Sequence, residues 1–85
     1  MKDDLQVIVR SRRGLIFEGK LAAVSSFNTV GPFDVLPGHA NFVSMISKKL
    51  VLHKANGKKD EMWVDKGVMV VEANNIQVYI GIGTL

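Results

Sequence analysis

The sequence contains no cysteine, which excludes both a disulfide staple and a thiolate metal site. That absence fits a reducing compartment such as the cytosol. Histidine is almost as scarce, with only His39 and His53 present. Zinc asks for three or four nitrogen, sulfur or oxygen ligands at motif spacing, and two distant histidines do not supply them. No apolar run is long enough for a membrane span. The longest, Gly67-Val-Met-Val-Val71, falls far short of the roughly 20 residues a spanning helix requires. The start, Met1-Lys-Asp-Asp4, carries acids where a signal peptide has a basic and then an apolar stretch, so export is not expected. A phosphate-cradling loop is also missing. Gly14 to Gly19 lacks the following lysine and hydroxyl residue and leads into a strand pattern, not a helix.

What is present is apolar and short. Hydrophobic residues make up 47% of the chain, enough for a core and too many for a disordered segment. Eighty-five residues support one domain, read here as spanning 1–85. The formal net charge is +3. Arg10, Arg12 and Arg13 cluster near one turn, and lysines recur from Lys48 to Lys66. Those lysines alternate with Asp60, Glu61 and Asp65, and no aromatic platform repeats among them. The pattern reads as a solvated sheet surface in preference to a nucleic-acid groove.

The dominant period is two. Leu5, Val7 and Val9 alternate with Gln6, Ile8 and Arg10, and Ile76, Val78 and Ile80 alternate with Gln77 and Tyr79. Successive side chains on a strand point to opposite faces, so each run reads as a half-buried strand. Arg12-Arg-Gly14, Asn28 to Pro32, Leu36-Pro-Gly-His39, Asn56-Gly57, Asp65-Lys-Gly67 and Asn74-Asn75 supply the turns. About eight short strands are predicted, at 5–11, 15–26, 31–35, 41–46, 49–54, 60–64, 67–73 and 75–82. The fold class is all-β, a flattened antiparallel β-sandwich of about eight to ten strands. One helical turn is hardest to exclude at 40–47.

Two features exceed a plain sandwich. Val68-Met-Val-Val71 is apolar on both faces, where a two-layer sandwich needs one. Either a loop covers the outer face, or Val68 and Val70 dock a partner. Trp63 shares a face with Glu61 and Asp65, as an interface anchor or as a cap on the core edge. Chemistry is poorly provided for. Asp34 and His39 could orient a nucleophile with Ser44 or Ser47 nearby, but no glycine-flanked serine elbow exists. His53 reads as a surface or edge residue. No catalytic residue, metal ligand or cofactor is assigned.

The densest segment is Gly31-Pro-Phe-Asp-Val-Leu-Pro-Gly-His-Ala-Asn-Phe42. Proline fixes φ and glycine permits reversal, so this run builds a rigid exposed corner suited to binding. It resembles the signature of the epsilon subunit of F-type ATP synthase (delta in mitochondria), which runs Gly-Glu-(Phe/Leu)-Gly-Ile-Leu-Pro-Gly-His-Ala. The flanks agree. Val9 to Val24, with Gly14, Phe17 and Gly19, is similar to that family's first hairpin, and Gly67, Val71, Asn75, Ile76, Val78 and Ile80 to its last. The resemblance covers about residues 5–82.

The resemblance implies a sandwich at the foot of a rotating central stalk, bound to the gamma subunit and resting on the ring of c subunits. Such a subunit is non-catalytic. It couples proton or sodium flow to ATP synthesis and sits peripherally on the cytoplasmic face of a bacterial inner membrane. The corner Leu36, Pro37, Gly38, His39 and Ala40 would lie in the gamma and ring contact region, with Pro32, Asp34, Trp63, Val68 and Val70 as further contacts. Two departures matter. The family's acid after the glycine is Pro32 here, and Asp34 stands on the same strand face, about 7 Å along, as its replacement. The chain also stops at Leu85, where the family continues into a helical hairpin, so no inhibitory arm and no ATP site are expected within it. The alternative readings are a β-sandwich adaptor of another complex and a small hydrolase using His39.

Overall fold

The computed structural model describes residues 4–81. Those residues form seven strands: β1 (Leu5–Ser11), β2 (Gly14–Leu21), β3 (Ala23–Phe27), β4 (Pro32–Val35), β5 (Phe42–His53), β6 (Lys59–Glu72) and β7 (Asn75–Ile80). They hydrogen-bond in the order β2-β1-β7-β6-β5-β3-β4, leaving β2 and β4 as edges. Every pairing is antiparallel except that of β1 with β7, which is parallel.

The long β5–β6 hairpin belongs to both halves of the sandwich. Residues 42–46 and 67–72 join β7, β1 and β2. Residues 48–53 and 59–64 join β3 and β4. Both halves contribute to one core: Leu5, Val7 and Val9 of β1 meet Val24, Val35, Leu50, Leu52, Val64, Met69, Val71, Ile76 and Val78.

Strand boundaries differ from the periodicity in three places. The run 15–26 is two strands, because Leu21 pairs with Leu5 of β1 while Ala23 pairs with His53 of β5. At the crossing, the Ala22 N–H donates to the His53 carbonyl at 2.8 Å. The runs 41–46 and 49–54 are one strand, as are 60–64 and 67–73. Ser47-Lys-Lys49 interrupts the apolar pattern in the first and Asp65-Lys-Gly67 in the second, yet the ladder continues through a bulge. The segment 40–47, where a helical turn was hardest to exclude, is mostly strand. Residue 82, the end of the last predicted strand, lies outside the described residues.

The bulge in β6 is what lets one long strand serve the core twice. Between the pairs Ile46↔Gly67 and Lys48↔Val64, β5 advances two residues and β6 three. Parity therefore flips, and Val64, Gly67, Met69 and Val71 all face inward. Lys48 opposite the bulge takes a left-handed φ of 73°, and its ammonium lies 5.5 Å from the centroid of the Phe27 ring. The bulge also brings strands close. A Cβ on Gly67 would lie 2.7 Å from the Tyr79 carbonyl oxygen and 3.2 Å from Ile46 Cγ1, so only glycine fits.

The turns use fewer left-handed residues than their composition permits. Between β5 and β6 the loop spans 54–58, and Gly57 alone of the Asn56-Gly57 pair has positive φ, at 91°. Asn56 instead accepts from the Lys58 N–H at 2.9 Å through Oδ1. The last turn is Ala73-Asn74, not Asn74-Asn75, and Ala73 carries the left-handed φ of 55°.

Candidate docking surface

No loop among the described residues covers the apolar outer face. Val68 pairs with Tyr79 on one side and Met45 on the other, and Val70 pairs with Gln77 and Val43. Cross-strand partners share a face. Val43 is 69% exposed, Met45 51% and Tyr79 37%, with Val68 and Val70 half-buried between them. Arg10 extends the first row through Tyr79, and Ile8 extends the second through Gln77. Two adjacent rows, apolar except for Gln77 and Arg10, thus face water on the half-sheet whose other side holds the core. Of the two readings of Val68-Met-Val-Val71, the exposed face is the one present. Val43, Met45 and Tyr79 were not singled out from sequence. Only register reveals that they stand beside Val68 and Val70.

The corner is tied at several points. The Gly38 N–H donates to Asn74 Oδ1 at 2.9 Å, and Asn41 Oδ1 accepts from the Ala73 N–H at 2.7 Å. The His39 N–H closes a turn on the Leu36 carbonyl at 3.1 Å. His39 Nδ1 lies 2.8 Å from the Ala40 carbonyl. A carbonyl only accepts, so Nδ1 carries the proton. The His39 ring packs 5.1 Å from Phe42, which meets Phe33 edge-on at 5.9 Å. Leu36, Gly38, His39 and Ala40 are exposed on this framework, and Pro37 is half-buried.

Trp63 stands elsewhere. It is 75% exposed, opposite Lys49 on the outer face of the other half-sheet. It does not cap the core edge. With Arg12, Arg13, Asp65, Ile80 and Gly81 it lines an open cleft at the β1–β2 turn. That cleft is at the Ile80 end of β7, whereas the corner is tied to Asn74 before its start. Six residues of strand separate the two by about 20 Å. The ten residues singled out from sequence therefore do not make one compact patch.

Pro32 and Asp34 are exposed on the edge strand β4. Asp34 does not pair with His39. Its Oδ1 accepts from the Ser25 hydroxyl at 2.5 Å, and Ser25 Oγ lies 2.8 Å from His53 Nε2. Ser25 has one proton and an ionised carboxylate only accepts, so that proton goes to Asp34. His53 must then donate through Nε2. The chain runs from imidazole to hydroxyl to carboxylate. A nucleophilic serine needs the opposite order, with the imidazole taking its proton. His53, read from sequence as a surface or edge residue, is half-buried and belongs to this cluster. Ser25 carried no sequence signal.

The lysines of the hairpin are engaged locally. Lys54 pairs with Asp60 at 3.2 Å, and Glu61 pairs with Lys49 at 3.4 Å and Lys59 at 3.9 Å. Among the described residues no group of three or more metal-binding side chains occurs, and no helix is long and apolar enough to cross a membrane.

A bent two-layer sandwich, a tethered histidine corner and a bare apolar sheet face define a small β-sandwich domain whose distinctive surface is a face and not an enclosed pocket. More particularly, the chain belongs to the ATP synthase delta/epsilon chain β-sandwich domain family, whose model matches residues 4–81. It is 32% identical over 79 residues to the ATP synthase epsilon chain of Wolinella succinogenes, covering 92% of this chain and 60% of the relative. It is 30% identical over 73 residues to that of a Nitratiruptor species, covering 85% of this chain and 57% of the relative. The chain thus spans somewhat over half the length of these two relatives. Among solved structures, a chain of the Euglena gracilis mitochondrial ATP synthase OSCP/F1/c-ring assembly superposes with a TM-score of 0.85 at 20% identity, over 91% of this chain and 50% of that one. A chain of the Tetrahymena thermophila mitochondrial ATP synthase central stalk and c ring gives 0.75 at 11% identity, over 93% and 64%. At those identities the likeness is one of fold.

Proposed function

We propose that this domain is a non-catalytic subunit of the central stalk of an F-type ATP synthase, binding the gamma subunit and the c ring and helping to couple ion translocation to ATP synthesis. The observation that carries the reading is the bare outer face of Val43, Met45, Val68, Val70 and Tyr79 on a chain of the delta/epsilon family. An apolar sheet face of this kind is costly in water and gains by being covered. Gamma is the partner assigned to it, with Trp63 as a second contact. The tethered corner Leu36–Ala40, together with Pro32 and Asp34 on β4, is assigned to the gamma and c-ring contact region. The domain binds no cofactor in this reading. It meets the membrane only through the complex, on the cytoplasmic face of a bacterial inner membrane, in keeping with its bacterial relatives.

The test is capture of partners from a membrane extract of the host by the tagged chain, with mass spectrometry of what co-purifies. Recovery of gamma, c, alpha and beta subunits, lost on Met45→Lys or on changes in the corner, is the expected result. Recovery of a different complex with ATP synthase absent would leave the domain an adaptor.

A further inference from the structure

Strand β4 is an edge strand, and its outer face presents Asp34. Asp60 and Glu61 of the same half-sheet are matched by lysines of the chain itself. Asp34 has no such cation among the described residues. It has instead two side chains in series behind it. Ser25, directly across on β3, holds Oδ1, and His53, two strands away on β5, holds Ser25. This arrangement fixes a carboxylate without an ion pair to lysine or arginine among the described residues, although Lys49 and Lys59 line the same hollow. One oxygen is engaged within the chain, and the other is left for an outside donor.

We propose that Ser25 and His53 are positioning residues that aim the Asp34 carboxylate at a cationic side chain of the partner docked along β4. The proposal rests on the stalk reading above, in which Pro32 and Asp34 on β4 lie in the gamma and c-ring contact region. Charge complementarity selects the partner group. An ionised carboxylate with a free oxygen accepts charge-assisted hydrogen bonds from a guanidinium or ammonium, which are shorter and stronger than neutral ones. The benefit of the relay is orientational, because a side chain already held in its bound geometry loses less freedom on docking. The imidazole serves as a donor through Nε2. His53→Gln retains an N–H at similar reach, whereas His53→Ala does not.

The experiment is titration of the 85-residue chain onto ATP synthase purified from the host and stripped of its epsilon subunit, with variants first checked for unchanged thermal midpoints. Asp34→Asn should weaken binding about tenfold and flatten its dependence on salt. Ser25→Ala and His53→Ala should each weaken it about threefold, while His53→Gln restores it. Ser25→Ala should add nothing in the Asp34→Asn background, since the two act on one contact. Nitrogen NMR of the His53 ring in the free chain should show the proton on Nε2. Wild-type binding with Asp34→Asn or His53→Ala unchanged would overturn this proposal and leave the stalk reading standing. An unprotonated Nε2 accepting from Ser25 would overturn it too. Failure of the wild-type chain to bind the stripped enzyme would overturn the stalk reading itself.

Discussion

Val64 and Gly67, an odd number of positions apart on β6, both face the core. A regular strand would send one of them to water. The extra residue between the pairs Lys48↔Val64 and Ile46↔Gly67 removes that conflict and turns the hairpin from one half of the sandwich into the other.

Deleting Lys66 therefore tests the bulge directly. Without it, strict alternation from Val64 would still turn Gly67, Met69 and Val71 inward, so the deletion removes the bend and leaves the facing. Straightening the hairpin where it turns from one half of the sandwich into the other should cost about 0.5–3 kcal/mol. Lys66→Ala keeps the residue count and, because Lys66 is exposed, should shift stability by less than about 0.5 kcal/mol. Denaturant titration of both variants checks this; a deletion as stable as the wild type would refute it.

Gly67 is required by proximity. An added methyl would sit 2.7 Å from a backbone oxygen that pairing holds in place. Gly67→Ala should cost about 1–3 kcal/mol, as overpacking does elsewhere. The chemical unfolding midpoint measures it.

Ser26 is the one buried polar side chain among the described residues, and its hydroxyl donates to the Lys49 carbonyl at 2.7 Å where the β3–β5 register shifts. Ser26→Ala would leave that carbonyl without this donor, costing about 1–2 kcal/mol. Ser26→Thr keeps the hydroxyl but adds a methyl to a buried position, so its loss should come from crowding. Comparing the two by thermal unfolding separates the hydrogen bond from packing.

Ala73 occupies left-handed space that costs a residue with a Cβ about 1–2 kcal/mol. Glycine avoids that cost but loses more backbone freedom on folding. Ala73→Gly should still stabilise the domain slightly, by about 0.5 kcal/mol, read as a raised midpoint.

The outer face separates binding from folding. Met45 is 51% exposed, so Met45→Lys should change stability by less than about 1 kcal/mol while abolishing capture of the partner. A variant that unfolds, or one that still captures the complex, would count against an exposed docking face.

Much of this protein was decided within short stretches of chain. Alternation at Leu5, Val7 and Val9 and at Ile76 and Val78 marks strands and their inner faces, because side-chain direction on a strand depends only on local parity. The segment Leu36-Pro-Gly-His-Ala40 with its flanks identifies the family, because its residue types are rare in that order. Trp63 was legible as a residue on the polar face for the same reason of parity. What only tertiary structure decided is everything that depends on which strands become neighbours. The parallel pairing of β1 with β7, the merging of four predicted runs into two bent strands, and the outer rows joining Val43 and Met45 to Val68 and Val70 follow from register between distant segments. The hydrogen-bonded series His53, Ser25 and Asp34 draws one residue from each of three strands, and no local spacing encodes it. Local periodicity sets which way a side chain points. Long-range pairing sets what it meets there.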